Sequence, residues 1–182
     1  MKVDIFNTDN KYKTIYADPP WNESGGGKIK RGADRHYSLM KTKDIIALPI
    51  NKLIHPEGCH LYLWTTNNFL PDALKVVDAW GFRYVTTITW MKDKMGLGQY
   101  FRGITELCIF ARTRKNLPYK TNEAGKRQQG VTGFYAPRFE HSEKPEEMRK
   151  MIEKVSYEPR IELFARKSVN GWDCWGMEAP DD

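Results

Sequence analysis

A run with strand character, Thr14-Ile15-Tyr16-Ala17, leads directly into Asp18-Pro19-Pro20-Trp21. Two consecutive prolines fix φ twice and remove two N–H donors, so the backbone beyond Ala17 is extended and stiff and no helix can start at once. The strand must stop here, with a carboxylate at its tip and a tryptophan just beyond. The proline carbonyls keep their lone pairs, Asp18 adds two acceptor oxygens, and Trp21 offers a flat apolar face. Acceptors beside a stacking surface suit a planar ring carrying an exocyclic NH2 group, and an adenine drawn out of its stack is such a ring. A rigid turn with a partly buried tryptophan is the alternative reading of the same letters.

The rest of the chain alternates strand-like and helix-like segments. A short strand is expected within residues 3–6, and a loop over 22–37. Residues 40–53 read as a helix with Ser38 as its N-cap and Pro49 as an interruption. Residues 59–66 form an unbroken apolar run suited to a buried strand. Apolar residues at 70, 73, 74, 76, 77 and 80 give an amphipathic helix with Pro71 near its start and Gly81 at its end. Strands are predicted over 83–91, 106–112, 161–165 and 172–177. Residues 144–155 read as a helix capped by Ser142, with Pro145, Glu146 and Glu147 in its first turn. Residues 115–142 lack a period and read as an excursion or hairpin. The alternation argues for one α/β domain over 1–182, with a mostly parallel sheet and helices on both faces. Ligands bind such sheets at the carboxyl ends of the strands. Asp18 follows one strand end, and Glu162 and Arg166 lie on and just after another. A carboxylate inside Ile-Glu-Leu-Phe is costly to bury unpaired, which marks Glu162 for use.

Composition narrows the class. No apolar run approaches a membrane span and the N-terminus lacks a signal pattern, so a cytoplasmic protein is expected. Cys59, Cys108 and Cys174 are too scattered for a zinc site or a disulfide framework, and no metal is expected. The net charge is +6. Basic clusters at Lys28-Lys30-Arg31-Arg35, Arg112-Arg114-Lys115 and Lys126-Arg127 fit phosphate contacts to a polyanion, or a solvated surface. Gly25-Gly26-Gly27 precedes the first cluster, giving a loop that either closes over a nucleic acid or is an ordinary loop.

Taken as a set, the motifs resemble the MT-A70 family of adenine-N6 methyltransferases. The pieces occur in order: Asp18-Pro19-Pro20-Trp21; Tyr37-Ser38-Leu39-Met40 with Leu48-Pro49; Leu63-Trp64-Thr65-Thr66-Asn67; Ala79-Trp80-Gly81-Phe82; Thr89-Trp90-Met91-Lys92; Gly96-Leu97-Gly98 with Arg102 and Glu106; His141-Ser142-Glu143-Lys144-Pro145; Glu162-Leu163-Phe164-Ala165-Arg166; and Gly171-Trp172-Asp173-Cys174-Trp175-Gly176. The resemblance implies a Rossmann-like class I methyltransferase sheet in permuted order, the catalytic motif preceding the donor-binding strand. It implies S-adenosylmethionine as cofactor, with Asp18, Pro19, Pro20 and Trp21 as catalytic residues. Lys144 would pair with the donor's carboxylate, and Glu162 would accept from its ribose hydroxyls or amino group. Asp18, Phe164, Arg166, Gly176 and Glu178 would complete the donor site, with Asp4-Ile5 as an adenine-contacting segment. Met177-Glu178 departs from the family's usual Asn-Gln or Asn-Glu pair. Trp21, Tyr37, Trp90, Lys92, Arg102 and Glu106 would face the substrate, although a tryptophan inside a strand equally suits the core. Gly96-Leu97-Gly98 does not open a helix after a strand and is no phosphate cradle. It is expected to let a substrate-facing loop turn, ordered by Arg102 and Glu106.

The chain shows neither an RNA-binding module nor a separate target-recognition domain. DNA is therefore favoured over RNA as partner, in a bacterial or viral setting, with specificity relaxed or supplied by a homodimer or partner subunit. A non-catalytic scaffold would be marked by a broken Asp-Pro-Pro-Trp or a lost lysine, and both are intact.

Overall fold

The computed structural model describes residues 1–22, 39–98, 100–115, 117–138 and 143–176. The basic glycine loop, Tyr37, the Ser38 and Ser142 caps and Glu178 lie outside them. In chain order the elements are β1 (Thr14–Ala17), α1 (Thr42–Ile46), α2 (Ile50–Leu53), β2 (His60–Thr65), α3 (Leu70–Ala79), β3 (Phe82–Met91), β4 (Thr105–Thr113), β5 (Gly133–Tyr135), α4 (Glu146–Val155), β6 (Arg160–Leu163) and β7 (Asp173–Trp175). The strands form one sheet in the order β5-β3-β4-β2-β1-β6-β7. Only β4 runs against the others, pairing antiparallel with both β2 and β3. The mostly parallel sheet expected from the alternation is what forms, and it is Rossmann-like, as the family resemblance implies.

Side chains alternate across a strand, so residue parity sorts the core into two faces. Ile15, Ala17, Leu61, Leu63, Ile109, Ile161 and Leu163 pack under α1, α2 and α3, against Ile45, Ile50, Leu53, Val76 and Trp80. Tyr16, Tyr62, Trp64, Trp90, Cys108 and Phe110 pack under α4, against Met148 and Ile152. Every residue of β2 is buried, as a central strand covered on both faces requires. Among the described residues, no helix is long and apolar enough to cross a membrane.

Several boundaries differ from expectation. The helix expected over 40–53 is two short ones, because Pro49 lacks the N–H that a continuous helix would need. Its first piece starts at Thr42, with Lys41 at the cap position. Helix α4 starts at Glu146, and Pro145 takes the cap position with ψ at 140°. The residue before a proline is itself pushed to extended backbone. Lys144 therefore lies outside the helix, where its side chain crosses the end of the sheet. The segment without a period contains β5, a three-residue edge strand parallel to β3. Residues 3–6 form no strand; Val3 donates its N–H to Cys174 at the margin of β7.

One buried polar network braces the sheet away from the strand tips. His60 Nδ1 lies 2.7 Å from Ser156 Oγ, its Nε2 lies 2.9 Å from the Leu117 carbonyl, and Tyr62 Oη lies 2.8 Å from the same Ser156 Oγ. Burial holds the His60 pKa below its ordinary value. A neutral ring then donates from Nε2 and accepts the Ser156 proton at Nδ1.

Candidate active site

Asp18 is the first residue past β1, and its parity places it on the α4 face with Tyr16. The neighbouring strand β6 sets Glu162 opposite Tyr16 on that face. Two strands away, the reversed β4 brings its own beginning to the same end of the sheet. Glu106 shares a face with Cys108, whose partner across the β2–β4 ladder is Trp64. A carboxylate thus reaches this end of the sheet without a crossover helix.

Lys144 joins two of these groups. Its Nζ lies 2.8 Å from Asp18 Oδ2 and 2.9 Å from Glu106 Oε1. Glu106 Oε2 lies 2.7 Å from Lys92 Nζ, so four charges alternate in a chain from Lys92 to Asp18. The side chains of Lys144 and Glu106 are each 13% exposed and that of Asp18 is 27% exposed. Burial opposes the charge on Lys144, but the two carboxylates outweigh it and hold its pKa above the ordinary range. Burial also opposes charge on Glu106, yet Lys144 and Lys92 together keep its pKa below the usual carboxylate range. At Asp18 the balance reverses. Burial raises its pKa more than Lys144 and Arg166 lower it. The ammonium is fixed on, Glu106 is fixed as an anion, and of these two carboxylates Asp18 is the one shifted toward taking a proton.

The prolines are more engaged than the sequence suggests. The Pro19 carbonyl accepts from the Trp21 N–H (2.9 Å) and the Pro20 carbonyl from the Met40 N–H (2.8 Å). Each carbonyl has two lone pairs, so Pro19 keeps acceptor capacity. The Trp21 indole N–H donates to the Trp64 carbonyl at 3.0 Å, and one ring face stacks on Phe69 at 5.6 Å. Trp21 is therefore a fixed surface with one face covered.

A second group gathers at the ends of β6 and β7. Phe164 follows β6 with φ at 62°, a conformation that costs a non-glycine residue energy and turns the chain sharply. The turn is clamped by the Ala165 N–H donating to the Trp175 carbonyl at 2.9 Å. Gly176 passes so close that an added Cβ would stand 2.7 Å from both backbone atoms N and O of Ala165. Phe164 packs edge-on to Trp175, which also meets Phe6. Residues 4 and 5 run alongside this corner; Ile5 is buried, and Asp4 accepts the Phe6 N–H. Glu162 Oε2 accepts from Arg149 Nη2 at 2.7 Å. Burial raises the Glu162 pKa, with Arg149 opposing.

Trp90, expected to face the substrate, lies inside the protein. Its ring is buried and its indole N–H is spent on the Ala136 carbonyl at 2.8 Å, so it belongs to the core. Arg102 orders the glycine loop as expected, donating to the Gly96 carbonyl at 2.7 Å, but Glu106 turns away from that loop to the two lysines. Arg149 went unread in the sequence. Its guanidinium sits beside the Trp172 and Tyr16 rings, at 5.1 and 5.6 Å, and holds Glu162. The available signal was an arginine beside Met148 in the apolar stripe of a helix.

Comparison with known proteins gives a consistent result. The MT-A70 family model matches residues 12–178. A type II methyltransferase, M.MunI of Mycoplasma sp, is 31% identical over 94% of this chain and 79% of its own length. The N6-methyladenosine RNA methyltransferase MTA1 of Cryphonectria parasitica is 30% identical, with 92% of this chain aligned to 51% of that protein. The mouse N(6)-adenine-specific methyltransferase METTL4 is 26% identical, with 96% of this chain aligned to 39% of it.

Proposed function

This chain belongs to the MT-A70 family of methyltransferases, and we propose that it transfers the methyl group of S-adenosylmethionine to the N6 amine of adenine in DNA. The observation that carries the proposal is Asp18 at the tip of β1, gripped by Lys144, with Glu162 one strand away on the same face.

The residues fit the donor. Lys144 is a cation well suited to a carboxylate, and the donor's carboxylate would share it with Asp18. Glu162 has about four acceptor sites and Arg149 uses one, leaving capacity for ribose hydroxyls or an ammonium. The Phe164–Trp175 corner supplies apolar surface for a ring, and Gly176 lets the chain close around it. When bound, S-adenosylmethionine supplies an electrophilic methyl carbon.

The chain's own residues act on the amine. An exocyclic adenine amine is a weak nucleophile because its lone pair is delocalised into the ring. Asp18 and the Pro19 carbonyl accept its two hydrogens, which favours a pyramidal nitrogen and aims the lone pair at the methyl carbon. The Asp18 carboxylate also stabilises positive charge developing on N6. Its raised pKa suits it to receive the proton that the nitrogen sheds after transfer. The face of Trp21 turned away from Phe69 would receive the extruded base.

DNA is preferred to RNA on the similarity to the type II methyltransferase, 31% identical over 94% of this chain. RNA is the second reading, kept by the RNA methyltransferase MTA1. The test is transfer of labelled methyl from S-adenosylmethionine to matched DNA and RNA, with Asp18→Ala as control. Label on DNA adenine, absent with the variant, is expected. Label on RNA alone would move the substrate to RNA, and label retained by Asp18→Ala would remove Asp18 from the site.

A further inference from the structure

Between β3 and β4 the chain leaves the catalytic end of the sheet as a narrow hairpin. Its arms are tied by the Lys92 N–H to the Ile104 carbonyl (2.8 Å) and the Gly96 N–H to the Gly103 carbonyl (2.6 Å). Arg102 Nε–H to the Gly96 carbonyl adds a third tie. Beyond these ties, Leu97, Tyr100 and Phe101 face solvent; Tyr100 is fully exposed and Phe101 is 86% exposed. Tyr100 has φ at 58°, a conformation that costs a tyrosine energy. Gly98 is pressed against the Phe101 carbonyl, so no larger residue fits there. A tightly built tip that spends strain to expose two aromatic rings is poorly explained as a connection.

Its surroundings are cationic. Lys94 and Arg102 are exposed on the hairpin, and Arg138 is exposed beside it. Arg138 donates its N–H to Asp93 at 2.7 Å, pinning the segment after β5 to the hairpin base. That base is also the outer end of the charge chain: Lys92 pairs with Glu106, Glu106 with Lys144, and Lys144 with Asp18. Phe101 is five positions from Glu106, so chain length holds it within about 18 Å of that residue, about five base-pair steps.

An enzyme that extrudes a base from duplex DNA leaves a gap in the stack, and apolar side chains inserted at such a step offset the unstacking cost. We propose that Tyr100 and Phe101 form a wedge that enters the duplex stack beside the target adenine and holds it extruded toward Asp18. The proposal rests on the reading of DNA as substrate. Charge favours a polyanion over a second copy of this basic chain as the occupant of the tip.

The test starts by mapping the methylated adenine in plasmid DNA treated with the wild-type protein. Two duplexes are then made around that adenine, one fully paired and one mismatched opposite it, together with a paired duplex carrying 2-aminopurine at the target. For the Tyr100→Ala/Phe101→Ala variant, transfer to the paired duplex is expected to fall by roughly 20-fold or more, from an unstacking cost of a few kcal/mol. The mismatch, which lowers that cost, is expected to restore most of the rate. The rise in 2-aminopurine fluorescence given by the wild type is expected to be lost, with an unchanged melting temperature. Equal loss on both duplexes, or no loss on either, would overturn the wedge. So would a variant that turns a dimer into a monomer and loses activity on both duplexes alike, since the tip would then be a subunit contact. Plasmid left unmethylated by the wild type would instead sink the DNA reading itself, and the wedge with it.

Discussion

One ammonium, Lys144 Nζ, stands within 3 Å of two carboxylates, Asp18 just past β1 at 2.8 Å and Glu106 near the start of β4 at 2.9 Å. The two pairings differ in consequence. Glu106 has a second cation in Lys92 and is held as an anion, whereas Asp18 carries more of the cost of burial.

Asp18→Asn should therefore separate activity from stability. The raised folded-state pKa means that ionised Asp18 costs stability at neutral pH; its favourable contribution exists only at lower pH, where it is protonated, and is lost as pH rises through that pKa. Removing the charge leaves Lys144 paired with Glu106. Methyl transfer should fall by roughly 10³-fold, while the melting temperature at pH 7.5 stays level or rises. A marked drop in melting temperature would show that Asp18 is a structural anchor.

Lys144→Met should do the opposite. It takes from Asp18 the ammonium 2.8 Å away, while Glu106 keeps Lys92, a change that costs about 3–5 kcal/mol. Asp18, its pKa already raised by burial, would lose its main opposing charge and rise further, so stability should be greatest at low pH and fall as pH rises. Melting temperatures at pH 5 and pH 8 test this: the variant should lose more on going to pH 8 than the wild type does. Calorimetry should also show weaker S-adenosylmethionine binding, with DNA affinity less affected.

His60 sets a separate pH limit. Its lowered folded-state pKa means that the unfolded chain binds the extra proton first, so stability is full above about 6.5 and declines as pH falls through the folded-state value. Denaturant titrations at pH 7.5 and 5 should show this loss. Ser156→Ala, which removes the donor to Nδ1 and the partner of Tyr62, should cost about 1–3 kcal/mol at pH 7.5.

Gly176→Ala should disturb the Phe164–Trp175 corner without touching the charge chain. The new methyl would meet backbone atoms of Ala165, which cannot rotate away. A loss of about 1–3 kcal/mol is expected, together with weaker donor binding by calorimetry. Full donor affinity would place Gly176 outside that site.

The sequence was most legible where chemistry is local. Strand, carboxylate and two prolines are consecutive, so the position of Asp18 at a strand tip follows from seven letters. Glu162 could be singled out because an acid within an apolar strand is costly to bury. What required the folded chain was lateral. Nothing near Glu106 announces that a reversed strand will bring it to Lys144, and the sequence alone pointed it at the glycine loop. Arg149 reads as helix surface until Glu162 appears opposite it. Strand β5 has three residues, too few to show a period, and it forms because the edge of β3 offers a partner.

The ladder between β1 and β6 sets Tyr16 against Glu162, joining opposite ends of the chain. Strands β3 and β4, by contrast, are sequence neighbours and form a hairpin. Closing a long loop is slower than closing a short one, so the hairpin should assemble early and the β1–β6 ladder late. Asp18 and Glu162 come into register only in that last step. A chain caught partway through folding, or a truncated product of interrupted synthesis, would carry the aromatic hairpin but would not yet have brought Asp18 and Glu162 together.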